Sequence, residues 1–197
     1  RVLLSSLQGA AITAIRINGV LHEFSTIPGV MEDVSDIILN LKEVRLRMHG
    51  EGPKTLRVQK KGEGILTAGD LSTEDSSIEI INPDRKIATL SAEAEVEMEL
   101  MVSSGKGYVP AEKNKTEDMP IGTIPIDAIF SPVSKINYTV TPARVGRETD
   151  FDRLNFEIWT DGTISPEDAL VEASKIYRKH LNPFVQYSEL GVKVFSE

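Results

Sequence analysis

The order of periodic segments along the chain predicts an α+β fold. Period-two runs dominate residues 44–102. One helix-period run precedes them and another lies near the C-terminus. Strands do not alternate one-for-one with helices, which argues against the βαβ units of a parallel sheet. With 197 residues the chain suffices for one large domain or two small ones, each with a real core.

Residues 1–8 predict the last turns of a helix, stopped by Gly9. "AAITAIRINGVLHEF" then alternates, with Ile12, Ala14 and Arg16 on one face and Ala11, Thr13, Ile15 and Ile17 on the other. Asn18-Gly19 between apolar runs predicts a hairpin or a sharp bend. Val30, Val34, Ile37, Ile38 and Leu41 recur at helical spacing and predict a helix over about 30–42. Glu32 and Asp33 in its first turn and Lys42 near its end suit the helix dipole. "VRLRMHG", "TLRVQK", "SSIEIINP" and "AEVEMELMV" read as strands. In the last, Val96, Met98, Leu100 and Val102 face inward and Glu95, Glu97 and Glu99 face water. Residues 111–119 form a polar loop. "IGTIPIDAIF" predicts a strand that Pro125 confines to an edge or a bulge. "VSKINYTVTPARV" and "LNFEIWTDG" make a strand pair. Ser165 as N-cap, Pro166 at the first helical position and Glu167 and Asp168 behind it open a helix over 166–181, which Pro183 follows. Leu170, Ala173, Ile176, Tyr177 and Leu181 form its apolar stripe. The tail from Gln186 has no strong period.

The chemistry-bearing residues are sparse. A net charge of −8 gives no support for a nucleic-acid surface, which needs clustered Lys and Arg. The chain has no cysteine, hence no disulfide, thiolate metal site or cysteine nucleophile. It has no apolar run of membrane-spanning length. His22, His49 and His180 are not spaced as metal ligands. Acidic groups at Glu74-Asp75 and Glu117-Asp118 sit in loops. "SSGKGYVPAEKNKTED" places Lys106 between Gly105 and Gly107, yet lacks Walker spacing and a following helix. A strand end that needs glycine is the better reading, with a nucleotide-binding enzyme using 105–107 as the alternative. No catalytic set, metal or cofactor is expected.

Four stretches together carry a resemblance: "RVLLSSL" (1–7), "GVLHEFSTIPGVMEDVSDIILNLK" (19–42), "KGYVPA" (106–111) and "DGTISPEDALVEASKIY" (161–177). In order and spacing they resemble the N-terminal assembly domain of the bacterial DNA-directed RNA polymerase α subunit, over nearly the whole chain. The resemblance implies a discontinuous dimerisation domain of antiparallel strands and helices at 1–8 and 132–197, and a mostly-β insert domain at 9–131. It implies a non-catalytic scaffold in the bacterial cytoplasm, associated with the nucleoid. The scaffold pairs with a second copy and docks the β and β′ subunits; the catalytic metal belongs to β′. By position, Arg1 and Leu4 match residues of the β contact, and His22, Glu23 and Phe24 lie in a β-facing motif. Lys42 and Ile126 match positions tied to β′. Helix 166–181, with its stripe, matches the dimer interface. Glu117 and Asp118 lie where some members offer an acidic loop to an activator; here that loop is shorter and mixed with Lys113 and Lys115. The family's first forty or so residues and its C-terminal DNA-binding domain have no counterpart in this sequence, so no direct DNA contact is expected. A free-standing dimeric binding module is the remaining alternative.

Overall fold

The computed structural model describes residues 1–50, 52–72, 77–116, 119–146 and 148–186. Along the chain run α1 (Val2–Ser5), β1 (Gln8–Ile17), α2 (Val34–Lys42), β2 (Leu46–Met48), β3 (Lys54–Lys61), β4 (Gly64–Thr67), β5 (Ile78–Ile80), β6 (Lys86–Leu90), β7 (Glu95–Lys106), β8 (Tyr108–Val109), α3 (Ala111–Asn114), β9 (Thr123–Pro125), β10 (Ala128–Ile129), β11 (Val133–Val145), β12 (Glu148–Thr160) and α4 (Pro166–Val185). The chain divides into two compact units, Gln8–Ser131 and Arg1–Leu7 with Pro132–Glu197.

The 8–131 unit is built on an antiparallel sheet in the order β3-β7-β1-β2-β5, with β9 also pairing β1. β7 alternates as its sequence predicts: Val96, Met98, Leu100 and Val102 are buried. Its outward glutamates meet cations or amides of neighbouring strands, Lys61 with Glu95 (2.7 Å), Asn18 with Glu97 (3.2 Å) and Arg16 with Glu99 (2.6 Å). β1 departs from simple alternation. A bulge between Ile12 and Ala14 shifts the register, so Ile12, Ile15 and Ile17 all reach one core despite their odd spacing. The bulge residue Thr13 is itself buried and donates its hydroxyl to Met101 O (3.3 Å). Its own carbonyl accepts the amide of Ile126.

Two local expectations change and one open choice is decided. Gly9 does not stop the first helix; it lies inside β1, and α1 ends at Ser5. Of the two readings of Asn18-Gly19 the sharp bend holds, because β1 pairs with β7, β9 and β2 and not with the residues that follow the turn. The middle helix begins at Val34, with Asp33 as N-cap accepting from the Asp36 amide (2.7 Å), so Glu32 lies before the helix. Val34, Ile37, Ile38 and Leu41 nevertheless make its buried face, as their spacing predicts. Sequence periodicity also misses the β4–β6 pair and the single turn α3 inside the expected polar loop.

The second unit joins a long β11–β12 hairpin to α1 and α4. Cross-strand pairs Ile136–Ile158, Tyr138–Phe156 and Val140–Leu154 share one ribbon face. Lys135–Trp159, Asn137–Glu157 and Thr139–Asn155 share the other, where the Lys135 ammonium lies 4.7 Å from the Trp159 ring centre. Ser165 caps α4 by accepting from the Asp168 amide (3.1 Å). α4 runs through Pro183 to Val185, although the proline has no amide to donate to the carbonyl one turn back. The core here is small, with Leu3, Leu7, Val133, Ala169 and Ala173 buried.

Candidate docking surfaces

The question raised by Gly105-Lys106-Gly107 has a packing answer. Gly9 and Gly105 are register partners across β1 and β7. A Cβ on Gly9 would stand 1.9 Å from the carbonyl oxygen of Phe130, and one on Gly105 would stand 2.7 Å from the Phe130 ring. The two glycines therefore make a bare patch of sheet on which Phe130 lies. Gly107 takes a left-handed φ of 64° and its carbonyl accepts the Phe130 amide (2.8 Å). These glycines serve a close backbone approach, and Lys106 between them is exposed. Among the described residues no group of three or more His, Cys, Asp or Glu converges to hold a metal.

The loop from Val20 to Asp33, between the Asn18-Gly19 bend and α2, carries the His22-Glu23-Phe24 motif. Val20 and Ile27 anchor it in the core. Ser35 Oγ donates to the Glu23 carbonyl (2.9 Å), and Ser25 Oγ lies 3.1 Å from His22 Nδ1. Phe24 stands 80 % exposed, with Leu21 (72 %) and Met31 (82 %) on the same loop. A recess of about 580 Å³ beside it is lined by Arg16, Asn18, Leu21, Glu97, Glu99 and Ile121.

Lys42 and Ile126 are brought near one another in different roles. Lys42, at the end of α2, pairs with Asp127, the neighbour of Ile126. Ile126 is only 2 % exposed and belongs to the core. Its amide is bonded to Thr13, and its carbonyl accepts the Asn114 side-chain amide (2.7 Å). The surface group at this place is therefore Asp127, which no local sequence signal marks; Ile126 is the anchor behind it. Glu117 and Asp118, like Glu74 and Asp75, lie outside the described residues.

In the other unit, α1, the hairpin and α4 enclose an open apolar groove of about 780 Å³. Leu4, Ile136, Tyr138, Leu154, Phe156 and Ala173 line it, with Arg1, Tyr177 and Leu181 also in its wall. The expected α4 stripe splits in two. Ala173 and half-buried Ile176 pack inward with Ala169, which the stripe omitted. Leu170, Tyr177 and Leu181 remain exposed. The two alanines are buried in one cluster with Leu3 and Leu7 and with Val133 of the hairpin.

Two carboxylates are held in their charged form. Burial by itself raises the Glu32 carboxyl, and the Lys86 ammonium with the amide and hydroxyl of Thr89 outweighs it, so the group sits below its ordinary value. Asp70 follows the same pattern: burial raises it, and Lys60 (2.8 Å) with the amide and hydroxyl of Thr67 lowers it by more.

The family model described as "RNA polymerase Rpb3/RpoA insert domain" matches residues 15–131. Over 96 % of its length the chain is 57 % identical to a DNA-directed RNA polymerase subunit alpha of Geobacter metallireducens and 56 % identical to one of Symbiobacterium thermophilum, covering 55 % and 60 % of those proteins. It is 53 % identical to that of Rhodopirellula baltica over its whole length, covering 59 % of that protein. The chain thus spans rather more than half the length of the curated relatives it matches. It belongs to the RNA polymerase Rpb3/RpoA insert-domain family, and along nearly all its length it is similar to bacterial RNA polymerase α subunits.

Proposed function

We propose that this chain is a non-catalytic assembly scaffold of a bacterial DNA-directed RNA polymerase, acting in the cytoplasm by pairing with a second copy and docking the β and β′ subunits. The observation that carries the reading is the uncovered apolar groove of the 1–7/132–186 unit, in a chain with this kinship. Large contiguous apolar surfaces on soluble domains mark partner sites. Fully burying one large aliphatic side chain is worth about 1.5–3 kcal/mol, so the exposed Leu4, Leu154, Phe156 and Leu181 offer a substantial driving force. In this reading α4 and the hairpin face the second copy. Arg1 and Leu4 contribute to the β contact, together with His22, Glu23 and Phe24. Lys42, held by Asp127 with Ile126 behind it, contributes to the β′ contact. The acidic net charge agrees with leaving DNA contact to other parts of the complex.

The test combines analytical ultracentrifugation with capture of purified β and β′. The wild-type chain is expected to self-associate and then to retain both subunits. Tyr177→Glu and Leu181→Glu should shift it to monomer without unfolding it, because both side chains are exposed. A chain that dimerises and captures neither subunit is a free-standing module, and the assembly reading then fails.

A further inference from the structure

We infer that Glu32 is a positioning residue that locks the 20–33 loop into the shape in which Phe24 docks the β subunit; the inference rests on the assembly reading above. Between Val20 and Asp33 the chain has no helix and no strand of its own. It nevertheless keeps Leu21, Phe24 and Met31 turned to solvent. An unanchored loop would fold such side chains against one another or onto the sheet, so the display requires a fixed backbone.

The fixing points lie on β6 and the turn after it. The Met31 amide donates to Thr89 O (3.0 Å), and the Ser91 amide donates to Gly29 O (2.8 Å). Gly29 has a left-handed φ of 78°, and a Cβ there would meet the Ala94 backbone and Ser91 Oγ at 2.9 Å, so the loop lies flush on that turn. The next residue inward is Glu32. One carboxylate oxygen accepts the Thr89 amide (2.6 Å). The other accepts the Thr89 hydroxyl (2.9 Å) and the Lys86 ammonium (2.8 Å). The side chain is 13 % exposed. A carboxylate so enclosed is costly unless its lone pairs are filled, and here the donors from outside the loop come from β6. Those bonds are directional. They fix where the loop sits along β6, whereas an apolar side chain would tolerate sliding. A loop already in its bound shape loses less freedom on docking, and that difference appears as affinity.

The experiment uses the whole chain, with purified β as the probe, and variants Glu32→Ala, Glu32→Gln, Thr89→Val, Phe24→Ala and Glu32→Ala with Phe24→Ala. Two readouts are independent. Amide hydrogen exchange over residues 21–31 is expected to speed up in Glu32→Ala while the strands of the sheet stay protected; unchanged exchange overturns the positioning role whether or not β binds. Affinity for β is expected to fall about ten-fold in Glu32→Ala, with partial rescue in Glu32→Gln, whose amide oxygen still accepts from Thr89. Phe24→Ala should cost less in the Glu32→Ala background than in the wild type, because a displaced Phe24 has less to lose. Full additivity, or wild-type affinity in a folded Glu32→Ala, overturns the inference. If Glu32→Ala does not fold, Thr89→Val, which removes one donor alone, decides by the same two readouts. Failure of the wild-type chain to bind β overturns the assembly reading, and the docking role with it, while exchange still reports the clamp.

Discussion

At the residue scale, most of what is specific to this chain comes from pairs distant in sequence. The Phe130 shelf is one. Gly105→Ala would push a methyl into the Phe130 ring, and Gly9→Ala would push one into the Phe130 carbonyl oxygen. Overpacking of this sort costs about 1–3 kcal/mol where side chains can give, and more against backbone. Urea unfolding of a double-mutant cycle separates the two. Phe130→Ala is expected to relieve most of the Gly105→Ala penalty, because the offending ring is gone. It should leave the Gly9→Ala penalty intact, because the carbonyl remains. Equal relief at both positions would show that the clash partners are wrongly assigned.

The lowered carboxyls give a second residue-scale prediction. In the unfolded chain Glu32 and Asp70 return to ordinary values, so on acidification the unfolded state takes up protons first. Their contribution to stability is therefore full above the ordinary carboxylate range. It is lost as pH falls through that range toward the folded-state values. Urea midpoints measured against pH should drop on the acid side, and the drop should be shallower in Glu32→Gln, which cannot titrate there. A variant with the wild-type slope would remove Glu32 from the acid response.

At the element scale, α4 shows what each signal can and cannot mark. Its start was legible to the residue, because capping is local: Ser165, Pro166 and Asp168 act within one turn. Ser165→Ala should cost about 1 kcal/mol, read as a lower thermal midpoint with an unchanged oligomeric state. Its end was not legible, because the helix continues through Pro183, where proline normally marks a stop. Its stripe was only half legible, since periodicity gives a face and not the depth to which that face is covered. Ile176 packs on the unit's own core. Ile176→Glu is thus expected to lower stability as well as weaken self-association, whereas Tyr177→Glu should do only the second. Circular dichroism melts beside ultracentrifugation distinguish the two. β1 holds the same lesson in strand form: its alternation predicted two faces, and the bulge at Thr13 rearranged them.

At the scale of the whole molecule, the two units differ in how much core they own. The 8–131 unit has an extensive one, running from Ile12 to Ile126, whereas the other unit buries few residues and leaves its groove open. We predict that residues 8–131 expressed alone fold cooperatively, since their entry at Gly9 and exit at Phe130 lie against each other within the unit. The isolated segment should show a single urea transition coincident with one phase of the whole chain. Non-cooperative unfolding of the segment would mean that it depends on the other unit. Residues 132–186 alone lack α1 and its Leu3 and Leu7, and should not fold.

The sequence by itself determined the α+β class, both long helices, the alternation of β7 and the hairpin, and, through four motif stretches, the kinship. Those signals are short-range: a cap acts over three residues, a helix face repeats within a turn or two, and a strand face repeats every second residue. Only the tertiary structure decided that Gly9 and Gly105 share one shelf, that Asp127 and not Ile126 is the surface group beside Lys42, and that Glu32 belongs to β6 and not to the helix it precedes. The last two join residues 85 and 57 positions apart. Such pairs are brought together by burial of the whole apolar pattern, which is non-directional and leaves no local spacing to read.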